Sequence, residues 1–140
     1  MTQVSFSVRY ATENDKESIK KIEQLLNDPV SVDDFFGKEY LRGKVAEADS
    51  EVVGYIFWNT ECPWDREIIR LAVHPGYRRK GIATNLIAEI YTGQPLIQGI
   101  SMNCPIHCPD LSRTMLSNRF ELFSKPVIRG IQNIRVIKWV

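Results

Sequence analysis

The sequence predicts a mixed α/β fold: a central, mostly antiparallel twisted sheet of six or seven strands with about four helices. Two observations carry this reading. Strand-like segments follow one another between Lys44 and Val73, joined by loops too short to hold a helix, which makes that part antiparallel. A later strand–helix–strand run, Glu67–Val73, Gly81–Tyr91 and Leu96–Met102, requires a right-handed parallel crossover.

Each element has its own signal. Val4 to Tyr10 alternates apolar and polar residues with period two and reads as a strand. Thr12 is a good N-cap for a helix over Glu13–Asn27, whose Ile19, Ile22, Leu25 and Leu26 fall on one face. Asp28-Pro29 ends it. Residues 30–43 read equally as a short helix or as a flap over a cleft. Lys44–Asp49 and Val52–Asn59 form a hairpin around Asp49-Ser50-Glu51, and Glu67–Val73 is a third, almost wholly apolar strand. Asp110–Phe123 is expected as a helix with Leu111, Met115, Leu116, Phe120 and Phe123 inward. Val127–Val140 reads as one or two terminal strands.

The 140 residues match one domain, 1–140, and at this length about two-thirds of the unfolded surface can be buried without disulfide staples. A formal charge of +1 argues against a dedicated nucleic-acid binder. No apolar run approaches the length of a membrane span, and Met1–Val8 lacks the features of a signal peptide. Three unevenly placed cysteines make no disulfide framework, so the expected compartment is the cytoplasm.

The chemistry concentrates in Leu71 to Leu86. An apolar strand ends in His74-Pro75-Gly76-Tyr77, a cationic Arg78-Arg79-Lys80 follows, and Gly81, Ile82, Ala83 and Thr84 open a helix. Unpaired N–H groups at a helix start, small residues that let a ligand approach, and three cations together suit a phosphate-bearing anion. A solvated turn that merely caps a core helix explains the charges as well.

The ordered string Arg78-x-x-Gly81-x-Ala83, preceded by Val73-His74-Pro75, resembles motif A of the GCN5-related N-acetyltransferase (GNAT) superfamily. The resemblance extends along the chain as an element order and is weak in residues outside 71–90. It implies acetyl-coenzyme A as donor and no metal. The pyrophosphate would lie on N–H groups from Arg79 to Thr84, and the pantetheine arm along Leu71, Ala72 and Val73. The Val73 N–H would polarise the thioester carbonyl, and a primary amine would attack it directly. The acceptor is a small molecule or peptide, with neither nucleic acid nor membrane as partner and a homodimer possible. The alternative is a coenzyme-binding module that has lost catalysis.

The chain departs from that pattern where the family commonly has a tyrosine and a glycine on the last helix: Met115 and Arg119 stand there. Four other residues become catalytic candidates. His107 is the natural base near neutral pH, and Cys104 or Cys108 is a proton donor for the leaving thiolate. Glu67 is a base acting through water, or a solvated strand end. Cysteines packed as small hydrophobes beside a turn-capping histidine are the competing reading. Cys104, His107 and Cys108 are poorly spaced for a zinc site, which usually uses two separated pairs of ligands. His74 is read as a turn residue and Tyr77 as packing on the coenzyme loop. Arg70 interrupts the apolar strand, so its guanidinium must be paired or wet. It either reaches an acceptor cleft as a substrate-binding residue or pairs with an acid such as Glu47 or Asp49.

Overall fold

The structure, a computed structural model, describes residues 5–26, 29–91, 96–106 and 108–139. Its strands are β1 (Ser7–Tyr10), β2 (Leu41–Ala48), β3 (Glu51–Asn59), β4 (Asp65–Val73), β5 (Gly99–Pro105), β6 (Glu121–Ser124), β7 (Val127–Ile128) and β8 (Ile131–Trp139). The helices are α1 (Lys16–Gln24), α2 (Ile82–Ala88) and α3 (Pro109–Ser117). The sheet runs β1-β2-β3-β4-β5-β8-β6, with β7 paired to β8. Every pairing is antiparallel except β4–β5, which is the expected crossover through α2. The eight strands exceed the expected six or seven because β6 and β7 are short segments added along β8.

Local chemistry accounts for most boundaries. The Thr12 N–H donates to the Asp15 carboxylate at 2.8 Å and starts a helical turn that continues as α1. Asp49 and Ser50 sit at φ 52° and 64°, the left-handed pair that a two-residue hairpin needs to match strand twist. The segment 30–43 is neither a full helix nor an uncovered flap. A 3-10 turn at Asp33–Phe35 presses Val32 and Phe35 into the core, and β2 begins at Leu41.

One expectation is corrected. The helix expected to reach Phe123 stops at Ser117, and Glu121–Ser124 is strand. Arg119 adopts a left-handed φ of 69°, and the Phe120 N–H returns to the Met115 carbonyl at 3.1 Å, which closes the helix. Met115 and Phe120 are buried as expected, whereas Leu116 and Phe123 are exposed. An apolar pattern at helical spacing cannot register a single left-handed residue that turns the chain back to pair with β8.

Two apolar clusters cover the sheet. On one face, α2 and α3 bury Ile82, Leu86, Ile87 and Met115 against Ile56, Leu71, Met102 and Cys104. On the other, Ile19 and Ile22 of α1 join Val32 and Phe35 over Val45, Tyr55 and Phe57. On that second face α1 packs on β3 and β4, and the sheet beyond, over β5 and β8, opens into a cavity. No helix among the described residues is long and apolar enough to cross a membrane.

Candidate functional site

The β4–β5 pairing runs only from Asp65↔Gly99 to Ile68↔Met102, after which β5 turns to β8 alone. Beyond Ile68, β4 has β3 on one side only. The His74 N–H bonds the Val53 carbonyl at 2.7 Å, which fixes the phase of the antiparallel ladder. By its alternation the main-chain groups of Ala72 face β3, and those of Leu71 and Val73 face the gap left by β5. Those two strand residues turn their main-chain groups away from β3, and the Val73 carbonyl accepts a long bond from the Arg78 Nε at 3.5 Å. Ala72 turns its side chain into the core beneath α1.

The turn after β4 is built by its own side chains. The His74 Nδ1 accepts from the Gly76 N–H at 2.9 Å, so this histidine caps the Pro75–Tyr77 turn. The Tyr77 ring meets His74 edge-on, with centroids 5.7 Å apart. Arg78, Arg79, Lys80, Gly81 and Thr84 are exposed, while Ile82 is buried and Ala83 half-buried. Two residues of this loop are left-handed, Arg79 at φ 62° and Gly81 at φ 83°. A non-glycine residue held there costs about 1 kcal/mol or more, and such strain clusters at ligand loops. A Cβ at Gly81 would meet nothing within 4 Å, so backbone hand and open space, not protein crowding, define the glycine's role.

Around the β4–β5–β8 face lies a cavity of about 380 Å³. Its floor holds an ordered polar group. Arg135 of β8 donates through Nη1 to Glu67 at 3.1 Å and Asn103 at 3.2 Å, and through Nη2 to Ser101 at 3.0 Å. Glu67 therefore lines a cleft beside the splay, with its carboxylate fixed by a guanidinium reaching over β5.

Arg70 is placed differently. Its Nε and Nη2 donate to the two oxygens of Glu23 at 3.1 and 2.8 Å, and the Tyr55 hydroxyl donates to the same carboxylate. The Val30 N–H adds a bond at 2.9 Å. Glu23 on α1, rather than Glu47 or Asp49, is the acid. Burial first, and then the bond to Glu23, pushes the Tyr55 hydroxyl well above its ordinary pKa.

Cys104 is fully buried among the residues under α3, and burial pushes its thiol up to about 11. Cys108 is half-buried at the start of α3. His107 lies outside the described residues. Among the described residues no group of histidines, cysteines and acids is arranged to hold a metal.

Sequence reasoning missed Arg135, Ser101 and Glu23. Arg135 carried the same signal as Arg70, a charge inside Ile134-Arg135-Val136-Ile137. Glu23 carried none, because a glutamate on an amphipathic helix ordinarily faces water.

Comparison with known proteins now adds the family. The sequence profile of the acetyltransferase (GNAT) family matches residues 8–92, and the chain belongs to that family. No curated protein sequence matches it. Similar solved structures include Ard1 from Thermoplasma volcanium, at TM-score 0.82 and 16% identity over 98% of this chain and 99% of that one. Another is the ribosomal-protein-S18-alanine N-acetyltransferase from Escherichia coli, at 0.78 and 13% over 95% and 91%. A third is PaiA N-acetyltransferase from Thermoplasma acidophilum in complex with coenzyme A, at 0.76 and 16% over 97% and 99%. At these identities the likeness is one of fold.

Proposed function

We propose that the chain is an acetyl-coenzyme A-dependent N-acetyltransferase that transfers the acetyl group directly to a primary amine. The observation that carries this reading is the pairing of the Leu71–Val73 edge, which β5 leaves unpaired, with the left-handed, cationic loop Arg78–Gly81. A pantetheine arm carries amides that can bond to such an edge as an added strand does. A pyrophosphate suits a loop with exposed N–H groups and three cations. The coenzyme-bound fold relative agrees with this donor.

In the proposed step the amine nitrogen bonds to the thioester carbon and the carbon–sulfur bond breaks. The Val73 N–H faces the gap where the developing oxyanion would sit. The ammonium proton passes through water to Glu67, and solvent returns a proton to the departing thiolate. Buried Cys104 has no part in this route. His107 is the other candidate base. Substitution of whichever residue acts as the base is expected to cost about 10²–10⁴ in rate. Loss on Glu67→Gln with a normal His107→Ala enzyme selects the carboxylate, and the reverse selects histidine.

The binding half is tested by melting. At ~100 times its dissociation constant, acetyl-coenzyme A adds roughly 2.7 kcal/mol of stability. That corresponds to a rise on the order of 5 °C or more. Gly81→Asp places a side chain and a negative charge on the loop and is expected to remove the shift. A folded Gly81→Asp protein that shifts like the parent overturns the site. A coenzyme shift with no release of thiol across a broad amine screen favours the non-catalytic module instead.

A further inference from the structure

The cavity beside Glu67 has a polarity that the transfer reaction alone does not require. Asp65 and Glu67 sit two residues apart on β4, in unbroken register with Gly99 and Ser101, so both project onto the same open face. Two strand residues span about 6.6 Å. Glu67 is engaged by Arg135, but Asp65 has no ion pair among the described residues. Glu61, also on the cavity wall, accepts from the Asn59 amide, and its N–H donates to the Asn59 Oδ1 at 2.7 Å. Arg66 does not neutralise them. It borders the cavity too, but its guanidinium donates to the backbone carbonyls of Cys62 and Asp65 rather than to these carboxylates.

The far wall is aromatic. Trp139 lies opposite Gly99 in the β5–β8 register and is 66% exposed. A Cβ built on Gly99 would lie 3.3 Å from the Asp65 Oδ1 and 3.4 Å from the Trp139 ring. The missing side chain therefore lets a carboxylate and an indole face converge on one spot. A carboxylate next to an exposed aromatic ring is the chemistry that holds an alkylammonium. Arg135 and Glu67 mark the other end of the same cavity, nearer the splay where the thioester would lie.

We propose that this cavity selects an acceptor with two positive charges: a primary alkylamine whose second ammonium lies about 6–7 Å from the reacting nitrogen, as in a four- or five-carbon diamine. This rests on the N-acetyltransferase reading and names its substrate class. The reacting nitrogen sits near Glu67 and forms the amide bond as the carbon–sulfur bond breaks, its proton leaving through water to Glu67. The second ammonium stays charged between Asp65 and Trp139.

The test compares cadaverine with n-pentylamine, the same chain with a methyl in place of the second ammonium, and with the zwitterion 6-aminohexanoate. Thiol release from acetyl-coenzyme A gives kcat/KM for each. Cadaverine is expected to exceed n-pentylamine by tenfold or more and 6-aminohexanoate by a wider margin. Asp65→Asn and, separately, Trp139→Leu are expected to lower cadaverine turnover far more than n-pentylamine turnover and so erase the preference; a preference kept in both variants overturns the assignment. Equal turnover of cadaverine and n-pentylamine by the parent overturns the substrate class and leaves the transferase reading standing. Calorimetric titration of cadaverine into the protein saturated with coenzyme A separates the two ideas. Binding that Asp65→Asn weakens, with no turnover of any amine, keeps the cavity assignment and sinks the transferase reading. No cadaverine binding and no preference sinks the cavity assignment.

Discussion

The Arg70 guanidinium of β4 grips both carboxylate oxygens of Glu23 of α1, at 3.1 and 2.8 Å. Glu23 is 2% exposed, and Tyr55 and Val30 complete its bonding. Removal of one partner from a buried pair leaves the other charge stranded and costs about 3–5 kcal/mol. Arg70→Gln and Glu23→Gln should each lower the melting temperature by on the order of 10 °C. Combining them should cost less than the sum, since the two residues share one interaction. Acceptor KM should not change in whatever folds. An Arg70→Gln protein of parental stability with a raised acceptor KM would return this arginine to the acceptor cleft.

Acid stability should depend on Asp15. Its hydrogen bonds from Arg9 hold the carboxyl below its ordinary value of 3.8, against the opposing effect of burial. The unfolded chain then takes up a proton at higher pH than the native one does. The stabilisation is full above 3.8 and disappears as pH falls through the lowered native value. Denaturation midpoints measured down to pH 2 should fall more steeply for the parent than for Asp15→Asn. Parallel curves would remove Asp15 from the acid transition.

The three cysteines should separate on labelling. Cys62 and Cys108 are partly accessible, whereas Cys104 is fully buried with its thiol pushed up to about 11 from 9.0. Thiolate is the reactive form, so a maleimide at neutral pH should modify Cys104 only through unfolding. Above pH 9 the unfolded thiol ionises and the native one does not, so stability should decline with rising pH, and Cys104→Ala should flatten that decline. Rapid modification of Cys104 in the native protein would place it at the surface and reopen it as a proton donor.

Gly43 has a packing reason rather than a turn reason. A Cβ built there would clash with the Cδ1–Cε1–Cζ edge of the Phe57 ring, which is buried and stacked on Phe35 with centroids 4.9 Å apart. Gly43→Ala should therefore cost about 1–3 kcal/mol in urea unfolding, despite alanine's better strand entropy. Adding Phe57→Leu should return part of that loss. A neutral Gly43→Ala would mean the ring lies elsewhere.

Much of this protein was determined by its sequence alone. Period-two alternation placed β1, and the apolar run to Val73 followed by Pro, Gly and three cations placed β4 and its loop. These signals are local: each residue's neighbours in the chain carry the physics, and the order strand–helix–strand leaves one handedness for the crossover. Only the tertiary structure decided the rest. The gap opens where the β4–β5 pairing ends at Ile68↔Met102 while β5 stays paired with β8 as far as Pro105. The site around Glu67 exists because Arg135, 68 residues later, reaches over β5. Arg70 read equally as a cleft residue or as half of an ion pair until the fold brought Glu23 to it from 47 residues away. A charge in an apolar strand announces that a partner is needed. It cannot name that partner, because the pairing is set by which elements pack across the sheet.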